Sequence, residues 1–178
     1  MREACRDLDR RVERLVVHRD GRAHWVEVEA LRDAISTARD LGLVAGVPFY
    51  ALLEVRKRVV PRILKALGSK WVNPDKGVYV QLDPYTMLLA TTGFPERRLI
   101  TSTGLVRPVA VSLVDTSDWE ALLLDLARDV YWLSQLHWGS AFVTPRLPVT
   151  TLYSHKISRF LSLGVHPPEE YRDKLWFL

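Results

Sequence analysis

The chain is poor in the residues that build a covalent or metal scaffold. It has a single cysteine, Cys5, among 178 residues. That excludes an internal disulfide and a thiolate zinc site. No apolar run approaches the roughly 20 residues needed to span a bilayer. The charged start, Met1-Arg2-Glu3-Ala4-Cys5-Arg6-Asp7, has no apolar core of a secretory signal. These absences lead to the expectation of a cytoplasmic protein with no membrane partner. A Gly-rich phosphate loop, a Ser/His/Asp set, a Cys/His nucleophile and paired metal-binding histidines are all missing. Lysine is scarce too, with six against 19 arginines.

What remains is ordinary globular material, 48% hydrophobic and 26% charged with a formal net charge of +4. The length suits one domain with a sizeable core, or one large piece of a domain. Arginine is the side chain whose planar fork grips phosphate oxygens in pairs. A GC-rich genome or a heat-adapted host would enrich it as well.

Apolar periodicity divides the chain into strands and helices. The first dozen residues read as a frayed, charged helix. Leu15-Val16-Val17-His18 then reads as a strand stopped by Arg19-Asp20-Gly21-Arg22. Trp25, Val28, Leu31, Ile35, Ala38 and Leu41 mark an amphipathic helix closed by Gly42. A second strand runs from Phe49 to Val60. Turn residues at Asn73–Gly77, Asp83-Pro84, Gly104 and Pro108 separate strand-like runs at 78–82, 86–92 and 109–114, suggesting hairpins or a meander. Ser117-Asp118-Trp119-Glu120 fits a capping box for a helix through Leu133. The last helix spans about Thr150 to Leu163, ended by Gly164. Trp25, Trp119 and Trp132 read as core or interface residues. Strand, helix, strand, a β-rich insert and two further helices make an α/β pattern.

Three places offer chemistry. Asp20 lies at the carboxyl end of its strand, where open α/β sheets bind ligands, and suits Mg²⁺ or Mn²⁺; Asp-Gly is equally a simple turn. His155 and Arg159 lie one turn apart on the last helix, with Lys156 beside them. That face suits a metal-binding imidazole and a phosphate-binding guanidinium, or plain solvation. The run Arg56-Lys57-Arg58, followed by Arg62 and Lys65, suits a nucleic-acid backbone or a charge-protected strand edge.

The ordered segments together resemble the C-terminal part of the Piwi domain of Argonaute proteins, of a prokaryotic and archaeal kind. Val17-His18-Arg19-Asp20-Gly21-Arg22 resembles the family's strand ending in Arg-Asp-Gly. Leu53-Glu54-Val55-Arg56-Lys57-Arg58 resembles the following strand. Asn73–Gly77, Leu89–Gly93 and Gly104–Pro108 are similar to later landmarks. Asp129 to Trp138 resembles a helix in which Ser134 and His137 hold the family's threonine and asparagine positions. Leu147-Pro148-Val149-Thr150 through Tyr153-Ser154-His155 resembles the final Pro-to-His/Asp helix. The resemblance covers 14–178, with 1–13 a charged N-terminal segment.

This resemblance implies an RNase H-like α/β fold, with an incomplete sheet, a β-rich insert and C-terminal helices. It also implies guide and target nucleic acid as partners, as in guide-directed silencing and prokaryotic defence. Cleaving members hold two divalent metals with an Asp, a Glu, a second Asp and a final His or Asp. Asp20 matches the second Asp and His155 the last position, so Mg²⁺ or Mn²⁺ is expected only at a completed site. Only 19 residues precede Asp20, and Glu3 and Glu13 match no family segment. The chain alone is therefore expected not to cleave, and to rest against a separate upstream half, a MID-containing chain or a second copy. Arg56, Lys57, Arg58, Arg146, Lys156 and Arg159 are the implied nucleic-acid contacts. The Leu178 carboxylate is a candidate at the guide's 5′-phosphate pocket.

Overall fold

A computed structural model describes residues 12–95, 104–137, 139, 145–171 and 174–177. The expected N-terminal helix and the Leu178 carboxylate lie outside these residues. Strand β1, Val12–Asp20, is followed by helix α1, Trp25–Asp40, and strand β2, Val44–Arg56. β1 and β2 pair in parallel, Asp20 opposite Val55, because the intervening helix returns the chain to the same edge. Short strands β3, Lys65–Leu67, and β4, Lys70–Val72, form a separate hairpin. Strands β5, Tyr79–Asp83, β6, Thr86–Leu89, and β7, Val109–Thr116, complete the main sheet. Its order is β1-β2-β7-β6-β5, with every pairing after β1–β2 antiparallel. Helices α2, Leu123–Gln135, and α3, Val149–Ser162, follow.

The fold is thus mixed α/β, a partial sheet carrying a few helices. One sheet face supplies Leu53, Val55, Met87, Leu89, Val109 and Val111, which pack on Leu126, Ala127 and Val130 of α2. Strand periodicity places these side chains on one face, and α2 covers them with its apolar stripe. On the opposite face Leu88, Ala90 and Ala110 meet Ile63. α1 adds Ala38 against Val44. Asp115 of β7 is anchored to α1 by Arg32, at 2.9 and 2.6 Å, and accepts the Tyr50 hydroxyl at 3.1 Å.

Several sequence expectations need correction. The capping box falls on α1 instead of α2. The Glu27 carboxylate accepts the His24 N–H at 2.8 Å, and the His24 ring accepts Val26 N–H at 3.4 Å. Ser117 does not cap α2, which starts at Leu123. Its hydroxyl accepts the Tyr50 N–H at 3.0 Å and its own N–H donates to the Tyr50 carbonyl at 3.1 Å. Those bonds prolong strand pairing and hold Ser117 in the sheet. β2 begins and ends earlier than expected. The chain leaves the sheet after Arg56, and Val59 and Ile63 turn back to cover its face. Trp25, Trp119 and Trp132 are exposed and do not belong to the core. Trp119 instead stacks edge-on against Tyr85, 5.3 Å away.

Two glycines fix the ends of the β1–α1–β2 unit. Gly42, at φ +68, closes α1 as its N–H reaches the Arg39 carbonyl and the Leu43 N–H reaches that of Ala38. Gly21, at φ +88, turns the chain just beyond Asp20 while its N–H holds the Val55 carbonyl at 3.3 Å. Asp20 is thereby fixed at the open end of the sheet.

Candidate nucleic-acid interface

The β1–β2 register sets which side chains meet at that end. His18 is paired with Leu53 and Asp20 with Val55, so both face the side covered by α2 and α3. The His18 ring nitrogen Nδ1 lies 2.9 Å from the Thr150 hydroxyl, tying mid-β1 to the first turn of α3. Burial lowers the His18 pKa, and nearby Asp129 opposes the shift. Its Nε2 is buried without a hydrogen-bond partner.

One turn beyond Thr150, α3 carries His155 toward the end of β1. Its Nδ1 lies 4.0 Å from the Asp20 Oδ2. The Lys57 ammonium, just past β2, donates to the same oxygen at 2.9 Å. Asp20, Lys57 and His155 come from three distant segments and share one point. Arg56 is turned away. Its Nη2 donates to the Ser112 hydroxyl at 3.1 Å and its Nε lies 3.6 Å from Glu54. Alternation along β2 explains the split, since neighbouring residues point to opposite faces.

A second basic group assembles from loops. Burial, then the positive charges of Arg107 and Arg62, lowers the Arg146 pKa. Arg62 braces itself with Nη1 against the carbonyls of Val59, Val60 and Pro61, at 2.7, 2.6 and 3.0 Å. None of these three arginines forms an ion pair among the described residues. Cations that feel one another's charge with no carboxylate nearby favour an anion in their neighbourhood.

Among the other residues singled out in the sequence, Arg58 is exposed. Lys156 lies close enough to His137 that its charge, after burial, lowers the His137 pKa. Arg159 is exposed at the end of α3, where its carbonyl closes the helix. Sequence reading missed Arg107, because Gly104 and Pro108 drew attention only as strand punctuation. It also took Lys57 as a phosphate contact or part of a charge-protected strand edge, since nothing in the chain order places it against Asp20.

Mg²⁺ or Mn²⁺ would need more than these residues supply. Among the described residues no three His, Cys, Asp or Glu side chains converge. Asp20 and His155 provide two donors, and an ammonium already holds the oxygen they share. The donor set does not fit a metal centre by itself.

No family model matches the chain. It is 27% identical over 165 residues to the protein argonaute of Aquifex aeolicus, covering 93% of this chain and 20% of that relative. Its structure is similar to that of Clostridium butyricum Argonaute bound to a guide DNA and a 19-mer target DNA. That match has a TM-score of 0.61 and 26% identity, and covers 86% of this chain and 18% of the other. The chain is similar to part of an Argonaute, and spans about a fifth of the length of the relatives it matches.

Proposed function

We propose that this chain is a nucleic-acid-binding, Piwi-like part of an Argonaute system, holding guide and target strands and not cleaving on its own. The observation that carries this reading is the group Arg62, Arg107 and Arg146, which forms no ion pair among the described residues, on a fold similar to an Argonaute. Guanidinium groups without carboxylate partners supply affinity for phosphates irrespective of sequence. β1 is a terminal strand of the sheet, and its outer edge suits a strand from an upstream chain, or from a second copy of this one.

The test is filter binding of single-stranded and duplex DNA and RNA. Lys57→Glu and Arg159→Glu are expected to weaken binding by about tenfold or less each. Arg56→Glu weakens it only by disturbing the fold, because that side chain is bound to Ser112. Binding untouched by salt and by the Lys57 and Arg159 charge reversals contradicts the proposal.

The closeness of Asp20 and His155, 4.0 Å, favours a second reading: a subunit of a guided endonuclease whose remaining carboxylates come from another chain. Its test is Mn²⁺-dependent cleavage with that chain added. Loss of cleavage in Asp20→Ala and His155→Ala supports the reading, and unchanged cleavage refutes it.

A further inference from the structure

We propose that Lys57 is the resident cation of Asp20 and excludes a divalent ion from the Asp20–His155 pair. The two donors alone resemble the start of a metal site. The ion pair changes what that site accepts. The Lys57 ammonium lies 2.9 Å from Oδ2, the same oxygen that faces His155 at 4.0 Å. A cation binding between the carboxylate and the imidazole must displace an ammonium tethered to the backbone end of β2. Both side chains of the ion pair are about three-quarters buried, at 28% and 27% exposure, so the contact is less screened than a surface pair. The tether keeps the ammonium at high local concentration beside Asp20.

The fold keeps the pair in register. β1 and β2 are hydrogen-bonded neighbours, with Asp20 opposite Val55, and Gly21 fastens the turn to the Val55 carbonyl. Lys57 therefore follows Val55 on the same sheet face as Asp20. Arg56, between them in sequence, is committed to Ser112 and Glu54 on the other side and does not compete for Asp20. The chain thus carries its own monovalent substitute for a metal ion. Further carboxylates from a partner chain would have to outweigh Lys57 before a divalent ion could enter.

This inference does not depend on nucleic-acid binding, and its test is read without substrate. Mn²⁺ is titrated into the folded chain while paramagnetic broadening of the His155 imidazole resonances is followed by NMR. Lys57→Gln is expected to broaden them at roughly tenfold lower Mn²⁺ than the unsubstituted chain, from the loss of one nearby positive charge. Lys57→Arg keeps the charge and is expected to retain the original resistance. Asp20→Asn combined with Lys57→Gln is expected to abolish the gain. Equal Mn²⁺ sensitivity in the Lys57→Gln and unsubstituted chains overturns the proposal. So does a gain that survives Asp20→Asn. Filter binding of nucleic acid by the same proteins reports separately on the proposed function.

Discussion

Asp115 and Asp20 are both carboxylates on the same sheet, and their surroundings differ sharply. Asp115 is buried in β7, gripped by two nitrogens of Arg32 and by the Tyr50 hydroxyl. Burial would raise its pKa, but the Arg32 and Tyr50 hydrogen bonds bring it below the ordinary carboxylate value. Asp20 is more open and holds one ammonium, with an imidazole just beyond hydrogen-bond reach. The first carboxylate has its acceptors filled by the fold. The second keeps acceptor capacity at the end of the sheet. A carboxylate's role is read here from what it still lacks.

The comparison breaks most readily at Asp115. Asp115→Ala is expected to cost about 2 kcal/mol of stability, since it removes a buried acceptor shared by Arg32 and Tyr50. Chemical denaturation measures this; an unchanged midpoint would show that the clamp contributes nothing. The pH dependence follows in sign. The folded pKa of Asp115 lies below its ordinary 3.8, so the unfolded chain binds the proton first. Its stabilising contribution is complete above that value and is lost as pH falls through the lower folded value. Asp115→Asn is expected to flatten the acid limb of stability, as read from urea midpoints between about pH 5 and pH 2.

Asp20→Asn gives the smallest expected effect on stability, within roughly 0.5 kcal/mol. The same denaturation series measures it. A loss as large as that of Asp115→Ala would mean that Asp20 is a structural clamp and that the contrast is wrong.

Most of the fold was legible in local patterns. The apolar run Leu15–His18 and the helical spacing from Trp25 to Leu41 correspond to β1 and α1. The final helix was legible within a residue at each end, from its apolar face and Gly164. The Ser117 box misled because a serine can cap a helix or pair with a strand, and only the distant Tyr50 decides between them. The β3–β4 hairpin is three residues a strand, too short for alternation to register. Trp119 headed the expected apolar stripe, yet it precedes α2, which starts at Leu123, and is exposed, as is Trp132.

The site was legible in its parts and not in its assembly. Asp20 and His155 carried the resemblance to a known arrangement, and the structure brings them within 4.0 Å. That Lys57 joins them while Arg56 does not follows from one residue of strand alternation and the exact end of β2. Arg62, Arg107 and Arg146 stand far apart in the chain, and only loop packing gathers them. Composition announced the arginines; it had no means of saying which would form no ion pair among the described residues.

The central claim is that these arginines, which form no ion pair among the described residues, hold nucleic-acid phosphates, and its most direct test is the salt dependence of binding. Affinity for a guide-length single strand is measured from low to physiological salt with the unsubstituted chain. The same series is run with Arg62, Arg107 and Arg146 all replaced by alanine. The unsubstituted chain is expected to lose affinity steeply with salt, and the triple variant to show a log–log slope shallower by roughly 2. Equal slopes with equal affinities would contradict the account.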